Sequence, residues 1–294
     1  APKPAAAEQA KSPTEAAKPV AAQPAPAQSA PEKPAAAATP APKPPVAVLK
    51  IVPVPADAAN ANVIKATLPG TTTTVAMGAT GLEIVSVGVP VTLKGAAQDP
   101  QAPAKKYTWT LSAPSKSKAA LDKKDAELVK FTPDVPGVYK VDLVVANDAG
   151  NSPMASVQIR AGTYIGVAKG NCKACHGDKV EEWSDTNHSK IFTREIDGGE
   201  DPKNSHYGEG CVRCHSTGYY IGVANGGFAD VQAQTKWKFP ALSSIQAGKG
   251  NWDAVPAELK NVANIQCESC HGPAAAHVES KAPMATSLDE GVCN

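Results

Sequence analysis

Six of the seven cysteines fall into three copies of one pattern, Cys-x-x-Cys-His. In each copy two thiols lie three residues apart, and a histidine follows the second thiol directly. Residues three apart are neighbours on one helical turn. Their thiols can therefore form thioethers with the two vinyl groups of one porphyrin, while the histidine binds the iron. We predict covalent haem c at three sites, with the cysteines Cys172, Cys175, Cys211, Cys214, Cys267 and Cys270 and the proximal ligands His176, His215 and His271.

Two other kinds of site also use Cys-x-x-Cys pairs. Zinc ribbons do so, but they need no histidine after every pair. Thiol redox sites place the pair next to a βαβ pattern, and this sequence has no such pattern. Three copies that each continue with histidine favour haem over both alternatives.

The chain has six histidines, and the three outside the motifs are His188, His206 and His277. All three lie in the same segment as the motifs. Three haems need three distal ligands if every iron binds two imidazoles. We therefore predict these histidines as distal ligands, and the count leaves none over.

The sequence around His188 predicts a helix. In "GDKVEEWSDTNHSKIF" the residues Val180, Trp183, Asn187 and Ile191 recur at helical spacing. A helix packed against a porphyrin would present His188 beside this face.

The preceding segment, residues 47–161, has the texture of a β-sandwich. Six short β-prone runs alternate with turn sequences such as "DPQAP" and "NDAGNS". In "GVYKVDLVV" one face carries Tyr139, Val141, Leu143 and Val145, so we expect that face to point inward. The spacing favours an antiparallel sandwich. The predicted runs are "LEIVSV", "VPVTLKG", "KYTWTLS", "AELVKFTP", "GVYKVDLVVAND" and "ASVQIRA".

Part of this segment, from about Gly81 to Ala161, resembles the immunoglobulin-like domain called the polycystic-kidney-disease repeat. Trp109 in "KYTWTLS" and Tyr139 in "PGVY" match that family's third-strand Trp and its Pro-Gly-x-Tyr step. The resemblance implies a spacer or a protein-contact module and no catalytic site.

The first 46 residues contain 17 Ala and 12 Pro, and no aromatic residue, Gly or Cys. Such a segment cannot bury enough apolar surface to offset the entropy of ordering. We predict a disordered Ala/Pro/Lys-rich spacer over residues 1–46.

The third segment, residues 162–294, is predicted as a mainly α-helical and irregular multihaem cytochrome c domain. Its stretches "CHSTGY" and "CESCHGPAAAH" resemble the tetrahaem cytochrome c family first known from nitrifying bacteria. The resemblance implies that His188 and His277 are distal ligands, each serving a haem other than its nearest neighbour. His206 has no counterpart in it, and Ser216 and Ala274 are mild departures from the family pattern.

Cys293 is the seventh cysteine, 26 residues beyond Cys267. The resembled family has a fourth motif after a short loop, so Cys293 is expected to begin a fourth haem site in a domain that is truncated here. The alternative is a free thiol, which is unusual in a secreted protein.

These observations predict an electron carrier with three visible haems, mostly bound by two histidines each. The alternative is a haem reductase of nitrogen or sulfur compounds, with one open iron. Haem attachment of this type implies a periplasmic or extracellular setting in a bacterium. The expected partners are other redox proteins or extracellular electron acceptors, with a surface or self-assembly contact through the β segment. The net charge of +1 gives no argument for nucleic acid, and no apolar run is long enough to span a membrane.

Two further features bear on function. We expect the porphyrins to replace core side chains in the third segment, since aromatic residues make up only 5% of the chain. The stretch 216–266 between the second and third motifs carries no recognisable role.

Overall fold

The computed structural model describes residues 43–57, 59–199, 206–247 and 249–286. Most of the predicted spacer lies outside these ranges. Within them the strands come first and the helices follow. The strands are β1 Ala47–Val52, β2 Ile64–Thr67, β3 Thr74–Met77, β4 Ile84–Ser86, β5 Val91–Ala97, β6 Lys106–Ser112, β7 Leu128–Phe131, β8 Gly137–Asn147, β9 Gly150–Asn151 and β10 Ala155–Gly162. The helices are α1 Gly177–Ser184, α2 Ile191–Glu195, α3 Val212–His215, α4 Phe228–Thr235, α5 Ala257–Lys260, α6 Cys267–His271 and α7 Ala275–Ser280.

Two sheets enclose the core of the β region. One has the order β1-β5-β7, and the other has the order β4-β10-β8-β6 with β9 paired to β8. All six predicted strands are confirmed, as β4 to β8 and β10. The predicted inward face is confirmed too, because its four side chains on β8 are fully buried. They share one cluster with Leu93 and Phe131 of the other sheet and with Trp109 of β6.

One strand pair departs from the antiparallel expectation. β4 and β10 run parallel, with Arg160 opposite Ile84 and Gly162 opposite Ser86, whereas the other strand pairs of the described residues are antiparallel. Period-2 alternation carries no information on strand direction. A parallel neighbour needs only a long connection, and here β5 to β9 supply it.

The hairpin β2–β3 does not contribute to the cluster between the two sheets. Leu68 at its turn and Met77 at its end instead join a second cluster with Phe192, Val212 and Phe228 of the helical region. The sequence had grouped this hairpin with the sandwich because of its position in the chain.

The second cluster is the core of the helical region, and it is rich in aromatic side chains. The stretch 216–266 supplies a large share of it through α4, α5 and the segment between them. The helical region therefore has an aromatic core of its own. The aromatic members and their partly buried neighbours are Phe192, Tyr207, Tyr219, Tyr220, Phe228, Trp237, Phe239 and Trp252.

The two regions meet along β4 and the end of β10. The Asn225 side-chain amide donates to Ser86 Oγ at 2.9 Å, and the backbone carbonyl of Asn225 accepts from Tyr164 N at 2.8 Å. Gly272 leaves α6 with a φ of +83°, where a Cβ would lie 2.7 Å from the carbonyl oxygen of Ile84. Glycine tolerates this conformation and this close approach, so the chain can turn away beside β4.

The longest helices of the described part have eight residues. A bilayer-spanning helix needs about 20, and none of the described helices could cross a membrane.

Candidate haem sites

Each Cys-x-x-Cys-His motif lies in a helical turn, as the spacing predicts. In the first motif His176 N donates to Cys172 O at 2.8 Å. The second motif runs from the short turn Glu209–Cys211 into α3. The third motif is α6 itself. None of these six cysteines forms a disulfide, and both thiols of each pair lie on one turn.

Glu268, between the cysteines of the third motif, ties that motif to the chain before the first. Its side chain is only 3% exposed. The carboxylate accepts from Gly166 N at 2.7 Å, from Ile165 N at 3.1 Å and from Ala274 N at 2.6 Å. Burial raises the pKa of Glu268, and the three N–H donors oppose that rise. The segment leading into the first motif is therefore fixed against the third motif.

One thiol of each of these two motifs senses the charge of the other. Burial raises the pKa of Cys172, and electrostatic repulsion from Cys267 raises it further. Burial likewise raises the pKa of Cys267. Cys172 of the first motif and Cys267 of the third are therefore electrostatically coupled.

The second and third motifs border one cleft of about 410 Å³. Cys214 and His215 line it from one motif, and Cys270 lines it from the other. Its volume lies in the range of sites for compact organic ligands, about 300–1,000 Å³. His188 also lines this cleft.

His277 faces the first motif. Its ring centre lies 6.2 Å from that of His176, and the ring planes differ by 28°. Imidazole nitrogens bind a transition metal at about 2 Å, so two rings on opposite sides of one ion have centres roughly 6 Å apart. The pair has the separation that one six-coordinate iron requires.

Backbone carbonyls fix the tautomers of two candidate ligands. His277 Nδ1 lies 2.7 Å from Ala282 O, and His271 Nδ1 lies 2.6 Å from Ala285 O. A carbonyl only accepts, so each Nδ1 carries the hydrogen and each Nε2 keeps a free electron pair. Metal-binding histidines are typically oriented in this way. Both residues therefore fit the role of iron ligand.

His215 lies in a drier and more aromatic setting. Its ring stacks on Tyr207, with centres 5.4 Å apart and planes 10° apart. Burial lowers the pKa of His215, which favours the neutral form that binds metals. Its Nδ1 is buried without a hydrogen-bond partner among the described residues. A buried polar atom of this kind fits a group that occupies the neighbouring cleft.

The helix predicted through His188 is wrong. α1 ends at Ser184, and His188 lies exposed in the turns before α2. Hydroxyl groups bind the backbone in this stretch, with Thr186 Oγ1 donating to Trp183 O at 2.7 Å and Ser189 Oγ donating to Ser184 O at 2.9 Å. Such bonds compete with helical ones. His188 still reaches the cleft because Ile265 N donates to His188 O at 3.0 Å.

For two predicted site residues the role stays a prediction. His206 is exposed and does not line the cleft. Cys293 lies outside the described residues. Among the residues described, no three His, Cys, Asp or Glu side chains converge on a metal-sized site.

Sequence reasoning missed Tyr207, Tyr219 and Arg213 as neighbours of the second motif. Tyr219 and Arg213 line the cleft, and the buried Tyr219 hydroxyl has no partner among the described residues. Tyr219 stands in the "CHSTGY" stretch, which was the available signal. No local pattern marked Tyr207.

A comparison with known protein families finds one match. Residues 171–238 match the model of cytochrome c554 and c-prime. The match covers the first two motifs and not the third. No curated protein matches the chain significantly. The matched stretch supports a c-type cytochrome, which implies covalently bound haem c and a haem-based role in electron transfer.

Proposed function

We propose that the chain carries electrons through three covalently attached c-type haems, one at each Cys-x-x-Cys-His motif. The observation that carries this proposal is the pairing of His176 with His277 at 6.2 Å. Haem iron supplies reversible one-electron chemistry when it is bound here. His176 and His277 would hold one iron between two imidazoles, and such a site would leave no position open to substrate and would keep both ligands when the charge of the iron changes. This favours electron transfer over catalysis at the first motif.

The contacts between motifs support a spatial order. The third motif touches the chain before the first through Glu268, and it shares a cleft with the second. A haem held by the third motif would then lie between the haems held by the other two. His271 and His277 are held by carbonyls of the same short segment, Ala282 and Ala285, so one stretch of chain orients ligands of two haems.

Exchange with a partner is proposed at the first motif. Cys175 and His176 are exposed there, while the second motif is partly buried in the aromatic cluster. Residues 162–294 carry 12 basic and 16 acidic side chains, so a basic or neutral face on the partner fits best. The setting is periplasmic or extracellular, and the β region is an immunoglobulin-like spacer or contact module.

A second candidate function rests on the second motif. Among the described residues, the ring that stacks on His215 is that of Tyr207 and not that of a histidine. The cleft beside it carries the unpartnered hydroxyl of Tyr219. An iron there with a free sixth position and a polar pocket could bind a small nitrogen or sulfur oxide.

Two measurements on the purified holoprotein test both ideas. After acid–acetone extraction, mass spectrometry should detect haem still attached to three peptides. Haem that is removed by the extraction would refute the proposal. Carbon monoxide binds ferrous haem only at a free position. An electron carrier with closed irons shows almost no spectral change, and His277→Ala creates one binding site. The control, Lys173→Ala at an exposed position of the first motif, removes no imidazole and changes nothing. Carbon monoxide binding by the unmodified chain at one haem favours the second candidate.

A further inference from the structure

The β2–β3 hairpin contacts the second motif through the two residues between its cysteines. Val212 is 1% exposed and packs in the same cluster as Leu68 and Met77 of the hairpin. Arg213 Nη1 donates to Ala76 O at 2.6 Å, across 137 residues of chain. A hydrogen bond from a charged guanidinium is stronger than a neutral one. Both variable positions of this motif are therefore used to hold the hairpin.

The chain after the motif makes return contacts to the same place. The Tyr220 hydroxyl donates to Gly78 O at 3.2 Å, and Ile221 N lies 3.5 Å from Met77 Sδ. Gly78 has no alternative residue in this packing, since a Cβ there would lie 2.3 Å from Val54 O. Residues 76–80 form a wall of the cleft that Cys214 and His215 also line.

The first motif offers an internal contrast. Its variable residues, Lys173 and Ala174, are both exposed. Lys173 pairs with the exposed carboxylate of Glu181 at 3.2 Å, only eight residues along the chain. Among the described residues, no strand of the β region forms a side-chain hydrogen bond or an ion pair with either of these two positions.

We propose that the hairpin, with residues 78–80 after it, is a built-in wall of the haem pocket at Cys211–His215. This rests on the proposed attachment of haem at that motif. A two-stranded hairpin is marginally stable by itself, so it depends on the surface that it covers. By linkage, a group that occupies the pocket stabilises the hairpin in its packed position against the second motif, and the packed hairpin stabilises the binding of that group.

Amide hydrogen exchange in the holoprotein tests the contact. Arg213→Gln removes the charged bond to Ala76 O, and Lys173→Gln is the matched control in the first motif. We expect peptides of residues 64–77 to exchange roughly tenfold faster in R213Q, equivalent to about 1.4 kcal/mol of opening free energy. Peptides of β6 and β8 should be unchanged in both variants. Equal exchange of the hairpin in R213Q and K173Q overturns the proposal.

Removal of one haem at a time tests the linkage. Loss of attachment in C211A/C214A should speed exchange of the hairpin, whereas loss in C172A/C175A should leave it protected. The reciprocal readout is redox titration: R213Q and Met77→Ala should each shift one potential of the set, and K173Q none. Mass spectrometry could show haem at the second motif while its removal leaves hydrogen exchange of the hairpin unchanged. In that case this inference fails and the proposed function stands. If no haem is found at that motif, the proposed function fails first.

Discussion

Replacing Glu268 by glutamine tests the connection between the first and third motifs. The carboxylate accepts from three backbone N–H groups, of Ile165, Gly166 and Ala274. A glutamine offers one oxygen and turns an NH₂ group toward the remaining donors. At least one buried N–H then loses its acceptor, at a cost of about 1–3 kcal/mol.

A second effect partly offsets this cost. Burial raises the pKa of Glu268, so the charged form is disfavoured in the folded chain, and a neutral amide relieves that strain. The lost acceptor outweighs this relief because the bonds from Gly166 and Ala274 are short. We therefore expect a net loss of about 1–2 kcal/mol. For a folded part of this size that lowers the melting temperature by roughly 2–8 °C.

The assay is thermal unfolding of the holoprotein, followed by far-ultraviolet circular dichroism. Glu258→Gln in α5 is the control, because Glu258 is exposed and the substitution is chemically identical. Glu268→Ala should cost more than Glu268→Gln, since it removes the acceptor for all three N–H groups. Equal melting temperatures for E268Q and E258Q would falsify the argument that this carboxylate holds the two motifs together.

Three further predictions concern stability and use denaturant unfolding of the holoprotein. Gly272→Ala should lower the free energy of unfolding by about 1–3 kcal/mol, since φ is +83° and a Cβ would meet a backbone oxygen at 2.7 Å. Gly177→Ala is the control, because a Cβ there would have nothing near it, and it should be neutral or mildly stabilising. Equal effects of the two substitutions would contradict this geometry. Trp109→Ala should cost about 3–5 kcal/mol, as for other buried large aromatics, because Trp109 is 2% exposed; a neutral result would place it outside the core. Because the pKa of Glu268 is raised, the folded chain binds the proton of this carboxyl group more tightly than the unfolded chain does. The stability gained from this protonation is full below the ordinary carboxyl pKa and falls as pH rises through the raised pKa. The E268Q variant should lack this pH dependence, and parallel pH profiles of the two proteins would argue against it.

The strands of the sandwich were predictable because their signal is local. Alternation in "GVYKVDLVV" gives the buried face of β8 directly, and turn sequences bound each run. The hairpin β2–β3 has the same kind of alternation over four residues a strand. Its partner surface, however, lies on Phe192 and Val212, more than a hundred residues later. Local patterns cannot assign a strand to one of two cores.

For the site, too, the sequence carries only the local part of the signal. Cys-x-x-Cys-His spacing places thiols and histidine on one turn whatever surrounds them, so the attachment chemistry is local. The partner of His176 is not local, because His277 reaches it through the fold. The end of α1 at Ser184 was also missed. There the hydroxyls of Thr186 and Ser189 bind carbonyls and override the apolar spacing that favoured a longer helix.

Aromatic residues are few in the whole chain, but they are unevenly distributed between its regions. The helical region concentrates its rings around Phe192 and Phe228, close to His215 and far less so to the exposed His176. Ferric haem with two neutral imidazoles carries one more positive charge than ferrous haem, and a dry surrounding disfavours the charged form. We therefore expect a higher reduction potential at the second motif than at the first. Electrons received at the exposed first motif would then run through the third motif toward the partly buried second one. Redox titration of single-haem deletion variants measures this order, and the lowest potential at the second motif would reverse the direction.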